Sequence, residues 1–239
     1  MAIKTILFDL DGTLLPMDQD LFIATYLKKL VTYLAPHGYD PKELADIIWK
    51  GTGAMLKNDG THTNEEVFWN VFCSHYGEGS RKDEPIFEEY YRTLFQTAKD
   101  VCGYTDKAAE IVSILKSKSF RLVLATNPLF PSIATESRVR WAGISPSDFE
   151  YISTYDNSSF CKPNPDYYRE LIQKLKLDPS KCLMVGNDTS DDMVAQSLGM
   201  EVFLLTDCLI NTKNADISQY PHGSFEELAE YIKLLSQKA

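Results

Sequence analysis

Two aspartates near the amino terminus, Asp9 and Asp11, have the types and the spacing of a reactive carboxylate pair. They follow an apolar run at positions 3–8 and precede Gly12, which permits the tight exit that such a strand end needs. Side chains two apart in a strand point the same way, so the pair converges if the extended backbone persists to Asp11. Converging carboxylates repel each other unless a cation or a shared proton relieves them. The pair therefore predicts a charged site at the end of a buried strand.

Further polar groups follow later apolar runs. Thr126 and Asn127 come directly after one predicted strand, and the acidic segment 186–192 comes after another. Between them, Lys162 stands just before a predicted helix. Ligands of open parallel sheets bind outside the carboxyl ends of the strands, so these groups are expected to share one crevice. That crevice would combine carboxylates, hydroxyl and amide donors, and a lysine.

Phosphoryl transfer through a covalent aspartyl-phosphate needs such a set. A carboxylate is a weak nucleophile toward a phosphate dianion, so the negative charge must first be neutralised. Mg²⁺ held by carboxylates and a backbone carbonyl would do this. We expect Asp9 to attack, Asp188 to help hold the metal, and Lys162 to place a positive charge beside Asp9.

The remaining groups have complementary roles in this chemistry. The Thr126 hydroxyl and the Asn127 amide are predicted to bind the phosphoryl oxygens. Asp11 is predicted to protonate the leaving oxygen and then to deprotonate the water that opens the acyl-phosphate.

The elements that must position these residues alternate between strand and helix after residue 102, which predicts an α/β fold with a Rossmann-like, doubly wound parallel sheet. From about residue 18 to 99 the apolar spacing is helical, which predicts an inserted all-helical cap. We assign residues 1–16 and 102–239 to the catalytic core and 17–101 to the cap. The Gly-rich segment 51–62 is interpreted as an inter-helix loop, with contact to the substrate as the alternative.

The ordered set Asp-x-Asp-Gly-Thr at 9–13, Thr126-Asn127, Lys162-Pro163 and the acidic segment 186–192 resembles the haloacid dehalogenase-like hydrolase superfamily. The helical insert resembles the class with a type I cap, which includes phosphoglycolate phosphatase and β-phosphoglucomutase. The resemblance implies a Rossmann-like core, Mg²⁺, Asp9 as nucleophile and Asp11 as acid and base. It also implies that Asp9, Asp188 and the backbone carbonyl of Asp11 hold the metal.

The fourth motif departs from the family's usual Gly-Asp, because Asn187 follows Gly186. Asp188 is the favoured metal ligand, since a carboxylate binds magnesium better than an amide does. Asp192 is then expected to lie behind the metal ligands, as a partner of the cation or of Lys162. In the alternative, Asn187 and Asp192 occupy the family's longer spacing, with an amide in place of the acid, and Asn187 faces the metal.

The amino-acid composition limits the kinds of molecule that this protein is expected to bind. A formal net charge of −10 without a basic run disfavours nucleic acid and anionic membranes. No apolar segment has the length of a membrane span, and the five scattered cysteines do not indicate a disulfide framework. We expect a cytoplasmic enzyme whose partner is a small phosphorylated metabolite. The sequence does not indicate its oligomeric state.

Two alternatives to a phosphatase share this fold. A phosphomutase would use the same core residues and return the phosphoryl group to its substrate. A metabolite-binding module without turnover is the alternative from another class. Asn187 in place of the usual acid keeps it open, and the joint presence of Asp9, Asp11, Thr126, Lys162 and Asp188 speaks against it. A dehalogenase is disfavoured, because dehalogenases of this family do not keep the acid/base that Asp11 supplies.

Overall fold

A computed structural model describes residues 2–237. Its centre is one six-stranded sheet in the order β3-β2-β1-β4-β5-β6, and every neighbouring pair of strands is parallel. The strands are β1 (Thr5–Phe8), β2 (Arg121–Leu124), β3 (Tyr151–Ile152), β4 (Cys182–Gly186), β5 (Glu201–Leu205) and β6 (His222–Gly223). β1 lies in the middle of the sheet, and Phe8 pairs with Leu124 on one side and Val185 on the other. The carboxyl ends of β1, β2 and β4 are therefore level with one another.

Both faces of the sheet are covered. Alternate residues of β1 pack into different apolar clusters: Ile6 and Phe8 belong to one, and Leu7 belongs to the other. Helices cover these faces, as expected for strands that are apolar along their whole length. The helices are α1 (Gln19–Leu34), α2 (Pro41–Met55), α3 (Asn64–Tyr76), α4 (Glu84–Arg92), α5 (Asp106–Ser117), α6 (Ser132–Trp141), α7 (Pro165–Leu175) and α8 (Phe225–Gln237). The predicted doubly wound α/β fold is confirmed.

The segment between β1 and β2 is helical, with α1 to α4 followed by a 3₁₀ helix at Leu94–Val101. A capping box begins α3: the Thr63 hydroxyl accepts from Glu66 N–H, and the Glu66 carboxylate accepts from Thr63 N–H. The amino end of α3 also contacts the core, since Asn64 N–H donates to the Ser158 carbonyl at 2.8 Å. The division into core and cap at residues 16 and 102 stays a prediction.

One local prediction was wrong. Gly51 to Met55 belong to α2 and not to a loop. Gly51 serves close packing, because a Cβ there would lie 2.6 Å from the Phe68 ring. A 3₁₀ helix, Met193–Leu198, follows β4. Within residues 2–237 no helix is both long and apolar enough to cross a bilayer.

Candidate active site

The carboxyl ends of the central strands surround a cavity of about 120 Å³. Every site residue predicted from the sequence lines it: Asp9, Asp11, Thr126, Asn127, Lys162, Asn187, Asp188 and Asp192. Asp191 and Gln19 line it as well. The structure thus brings residues from four distant parts of the chain to one place. Their chemical roles stay predictions.

A buried lysine joins two of the aspartates. Lys162 Nζ lies 3.0 Å from Asp9 Oδ1 and 2.6 Å from Asp192 Oδ1, and the Lys162 side chain is 1% exposed. Burial alone would lower the pKa of Lys162. The attraction of the two carboxylates is stronger and raises that pKa well above its ordinary value. Lys162 is therefore an ammonium ion that holds Asp9 in place. Asp192 also accepts from the Asp188 N–H at 2.9 Å, as expected for a residue that supports the site.

Asn187 and Asp188 have different surroundings. Asn187 accepts from the Thr13 hydroxyl at 2.8 Å and donates to the Cys208 carbonyl at 2.7 Å, so both ends of its amide are engaged. Thr13 also lies 3.2 Å from Asp9 Oδ2. One oxygen of Asp188 accepts from the N–H groups of Ser190 and Asp191. A metal role for Asp188 fits this arrangement better than one for Asn187, whose contacts orient Thr13.

Asp11 lies in the cavity but not as a continuation of the strand. β1 ends at Phe8, so the extended geometry that would align Asp9 and Asp11 is not maintained. The Asp11 carboxylate instead forms an ion pair with Arg138, and its Oδ1 atom has no hydrogen-bond partner. Burial raises the pKa of Asp11, and Arg138 opposes that rise. The carbonyl of Asp11 accepts from Gln19 Nε2 at 3.0 Å.

Arg138 is the site residue that the sequence reasoning missed. It lies on α6, is fully buried, and stacks 4.3 Å from the Phe130 ring centroid. Sequence alone offered a weak signal: Arg138 shares the buried face of α6 with Ala134 and Trp141. An arginine on an apolar helix face needs an anion, and the acidic crevice supplies Asp11.

The donor set fits a magnesium ion. The predicted ligands are the carboxylates of Asp9 and Asp188 and the carbonyl of Asp11, all hard oxygen atoms at the rim of one cavity. Five aspartates line this cavity, and Lys162 is the one basic side chain among its described residues, so a divalent cation would offset excess negative charge. No three acidic, histidine or cysteine side chains of residues 2–237 form a metal-binding group. The predicted set needs only two carboxylates.

Gly186 supplies a sharp test of the Lys162–Asp192 contact. A Cβ at Gly186 would lie 2.1 Å from Asp192 Oδ2, so Gly186→Ala should push Asp192 away from Lys162. We expect activity to fall by at least about tenfold and stability by about 1–3 kcal/mol. Steady-state kinetics and urea unfolding would measure both.

The matched control is Gly53→Ala, at a helical glycine with open space around its Cβ position. This change should keep activity and increase stability by about 0.5–1 kcal/mol. Full activity in Gly186→Ala would show that the position of Asp192 does not matter.

The parallel sheet and the carboxylate crevice at its carboxyl edge define a Rossmann-like α/β protein with a helical insert after the first strand. The haloacid dehalogenase-like hydrolase model matches residues 3–199, and the chain belongs to this family. The resemblance inferred from the motifs is thereby confirmed.

The individual relatives share low sequence identity with this chain. The chain is 25% identical to pyrophosphatase PpaX from Bacillus cereus over 199 residues, which cover 83% of this chain and 81% of the relative. Its fold is similar to 2-haloacid dehalogenase from Pseudomonas syringae pv. Tomato, with a TM-score of 0.64, 23% identity, and coverage of 97% and 98% of the two chains. It is also similar to the HAD hydrolase YfnB from Bacillus subtilis bound to magnesium, with a TM-score of 0.56, 20% identity, and coverage of 97% and 99%.

Proposed function

We propose that this protein is a magnesium-dependent phosphatase that hydrolyses a small phosphorylated metabolite through an aspartyl-phosphate on Asp9. The observation that carries the proposal is the Asp9 carboxylate, held by the buried ammonium of Lys162 at the end of the central strand. Family membership supports it, as does the phosphatase name of the relative PpaX.

The first half-reaction transfers the phosphoryl group to the enzyme. Lys162, Thr126 and Asn127 bind phosphoryl oxygens in the crevice. One Asp9 oxygen attacks phosphorus, the new O–P bond forms, and the bond to the leaving oxygen breaks. Asp11 gives its proton to that leaving oxygen. Burial raises the pKa of Asp11, which favours its protonation, and Arg138 stabilises the carboxylate that remains after the proton has been given up.

The second half-reaction restores the enzyme. Asp11, now a carboxylate beside Arg138, takes a proton from a water molecule. The water oxygen attacks phosphorus, inorganic phosphate leaves, and Asp9 is again a free carboxylate. Mg²⁺ held by Asp9, Asp188 and the Asp11 carbonyl would supply neutralisation of the phosphate charge.

Hydrolysis of p-nitrophenyl phosphate with and without Mg²⁺ tests the activity. Acid quenching during turnover, followed by mass spectrometry, should find the phosphoryl group on the peptide that contains Asp9. A phosphoryl group on another residue, or hydrolysis without any acyl-phosphate, would overturn the proposal. Interconversion of glucose 1-phosphate and glucose 6-phosphate without net hydrolysis would identify the mutase alternative.

Magnesium binding should depend on pH. Burial raises the pKa of Asp191, which lines the cavity, to about 6. The folded protein therefore favours protonated Asp191 below that value, and this contribution to stability is lost as the pH rises through it. Protonation of Asp191 removes one negative charge from the cavity, so Mg²⁺ should raise the melting temperature more at about pH 8 than at about pH 5.5.

Thermal melts with and without MgCl₂, with NaCl at matched ionic strength as the control, would measure this difference. An equal Mg²⁺ effect at both pH values would contradict a magnesium site in the cavity that Asp191 lines.

A further inference from the structure

Three cavities that share lining residues adjoin one another between Asp9 and the helical insert. The catalytic cavity of about 120 Å³ is followed by a small cavity of about 60 Å³ and a large one of about 330 Å³. Leu129, in the loop after β2, lines all three, and Tyr26 and Thr52 line the last two. A molecule whose phosphate lies at Asp9 can thus extend past Leu129 into the large cavity.

The middle cavity is apolar. Ile23, Leu27, Ile48 and Phe130 line it, and no charged side chain is among its lining residues in the described part of the chain. A charged substituent would lose its hydration on entering this passage without gaining a partner there. The passage therefore selects against a charge close to the phosphate ester.

The large cavity has aromatic walls. Its aromatic residues are Tyr26, Phe68, Trp69, Phe87, Tyr91 and Tyr155. Trp69 is 3% exposed, and its indole N–H interacts with Tyr155, where it opposes the burial-induced rise in the pKa of that tyrosine. Aromatic walls of this kind favour an aromatic ligand, whose ring can stack on them or meet them edge to face.

The charged side chains that line this cavity are mainly acidic. Glu65, Glu84, Glu88 and Asp156 line it, and Arg92 is the one basic residue among the described lining. The nearby arginines are already engaged: Arg81, outside the lining, pairs with Glu65 and with Glu84, and Arg92 pairs with Glu88 at 3.0 Å. A carboxylate or second phosphate on the leaving group would be repelled here, whereas a neutral ring would not.

We propose that the substrate's leaving group is an aromatic ring system without anionic substituents, seated in the large cavity. This inference rests on the proposed phosphatase function and names the substrate class. An engineered cavity of about 150 Å³ accommodates benzene, so about 330 Å³ admits a bicyclic ring. Pyrophosphate, the substrate that the name of the relative PpaX indicates, is expected to be a poor substrate here, because its leaving group is itself an anion.

The test compares 1-naphthylmethyl phosphate with glycerol 2-phosphate, since both release uncharged alcohols and only the first carries an aromatic ring. Phosphoglycolate and pyrophosphate represent anionic leaving groups. We expect kcat/KM for the naphthylmethyl ester to exceed that for the other three by at least about tenfold. Binding of 1-naphthylmethylphosphonate, which is not hydrolysed, should be measurable by calorimetry.

Thr52→Arg places a cation and extra volume between the middle and large cavities. This change should lower the kcat/KM advantage of the naphthylmethyl ester over the other compounds by at least about tenfold. It should weaken the binding of 1-naphthylmethylphosphonate by a similar factor. Leu56→Arg is the matched control, because Leu56 adjoins the same helix, is 47% exposed and lines none of the three cavities. If Thr52→Arg has a lower melting temperature than this control, Thr52→Gln is used in its place, because glutamine narrows the middle cavity without adding a charge.

If kcat/KM for the naphthylmethyl ester is about equal to that for glycerol 2-phosphate, or lower than that for phosphoglycolate or pyrophosphate, the proposed aromatic substrate class is wrong. The proposed phosphatase function would still stand. Loss of the kcat/KM advantage in Leu56→Arg as well would also overturn that substrate class. Phosphonate binding that Thr52→Arg weakens, in a protein that hydrolyses none of the four compounds, would support the aromatic site and refute the proposed function.

Discussion

Asp9→Asn should lower kcat by about 10⁴-fold or more, because an amide oxygen cannot form the acyl-phosphate. The exchange keeps the shape of the side chain. The fold should tolerate it, since Lys162 retains its shorter contact with Asp192, at 2.6 Å. One of the carboxylates crowded into the cavity also loses its charge. We therefore expect an unchanged or higher melting temperature together with the loss of turnover.

Steady-state kinetics with Mg²⁺ and thermal melts of the same preparation would measure both effects. Asp46→Asn is the matched control, because Asp46 is exposed on α2 and lines none of the cavities. More than about a tenth of the normal kcat in Asp9→Asn would exclude Asp9 as the nucleophile.

The sequence predicted the sheet and the composition of the crevice because both follow from local patterns. Apolar runs ended at polar residues, and parallel strands bring such ends together, so Thr126 and Asp188 could be placed near Asp9 from the sequence. Alternation of helix and strand then sufficed for the doubly wound fold.

Long-range side-chain contacts could not be predicted in this way. Asp11 was expected to follow the strand direction, but its partner Arg138 lies 127 residues away, and no local pattern links them. Gly51 indicated a loop, and only the packing of α3 onto α2 explains a glycine in that helix. In both cases tertiary contacts override the local preference.

The Arg138–Asp11 pair should contribute strongly to stability. Arg138 is fully buried, so Arg138→Met leaves the Asp11 carboxylate without its cation. Breaking a buried pair from one side costs about 3–5 kcal/mol of unfolding free energy. Urea unfolding of the metal-free protein would measure the loss. Arg140→Met, at a neighbouring residue whose pair with Glu136 is solvent-exposed, should cost less than about 1 kcal/mol.

A double variant separates charge from packing. If the unpaired carboxylate causes the loss, adding Asp11→Asn to Arg138→Met should restore much of the stability, because the buried negative charge is then gone. The stacking of Arg138 on Phe130 is lost in both the single and the double variant, so packing cannot account for such a recovery. Equal stability of the single and double variants would show that Arg138 acts through packing alone, and that the ion pair with Asp11 does not stabilise this end of the sheet.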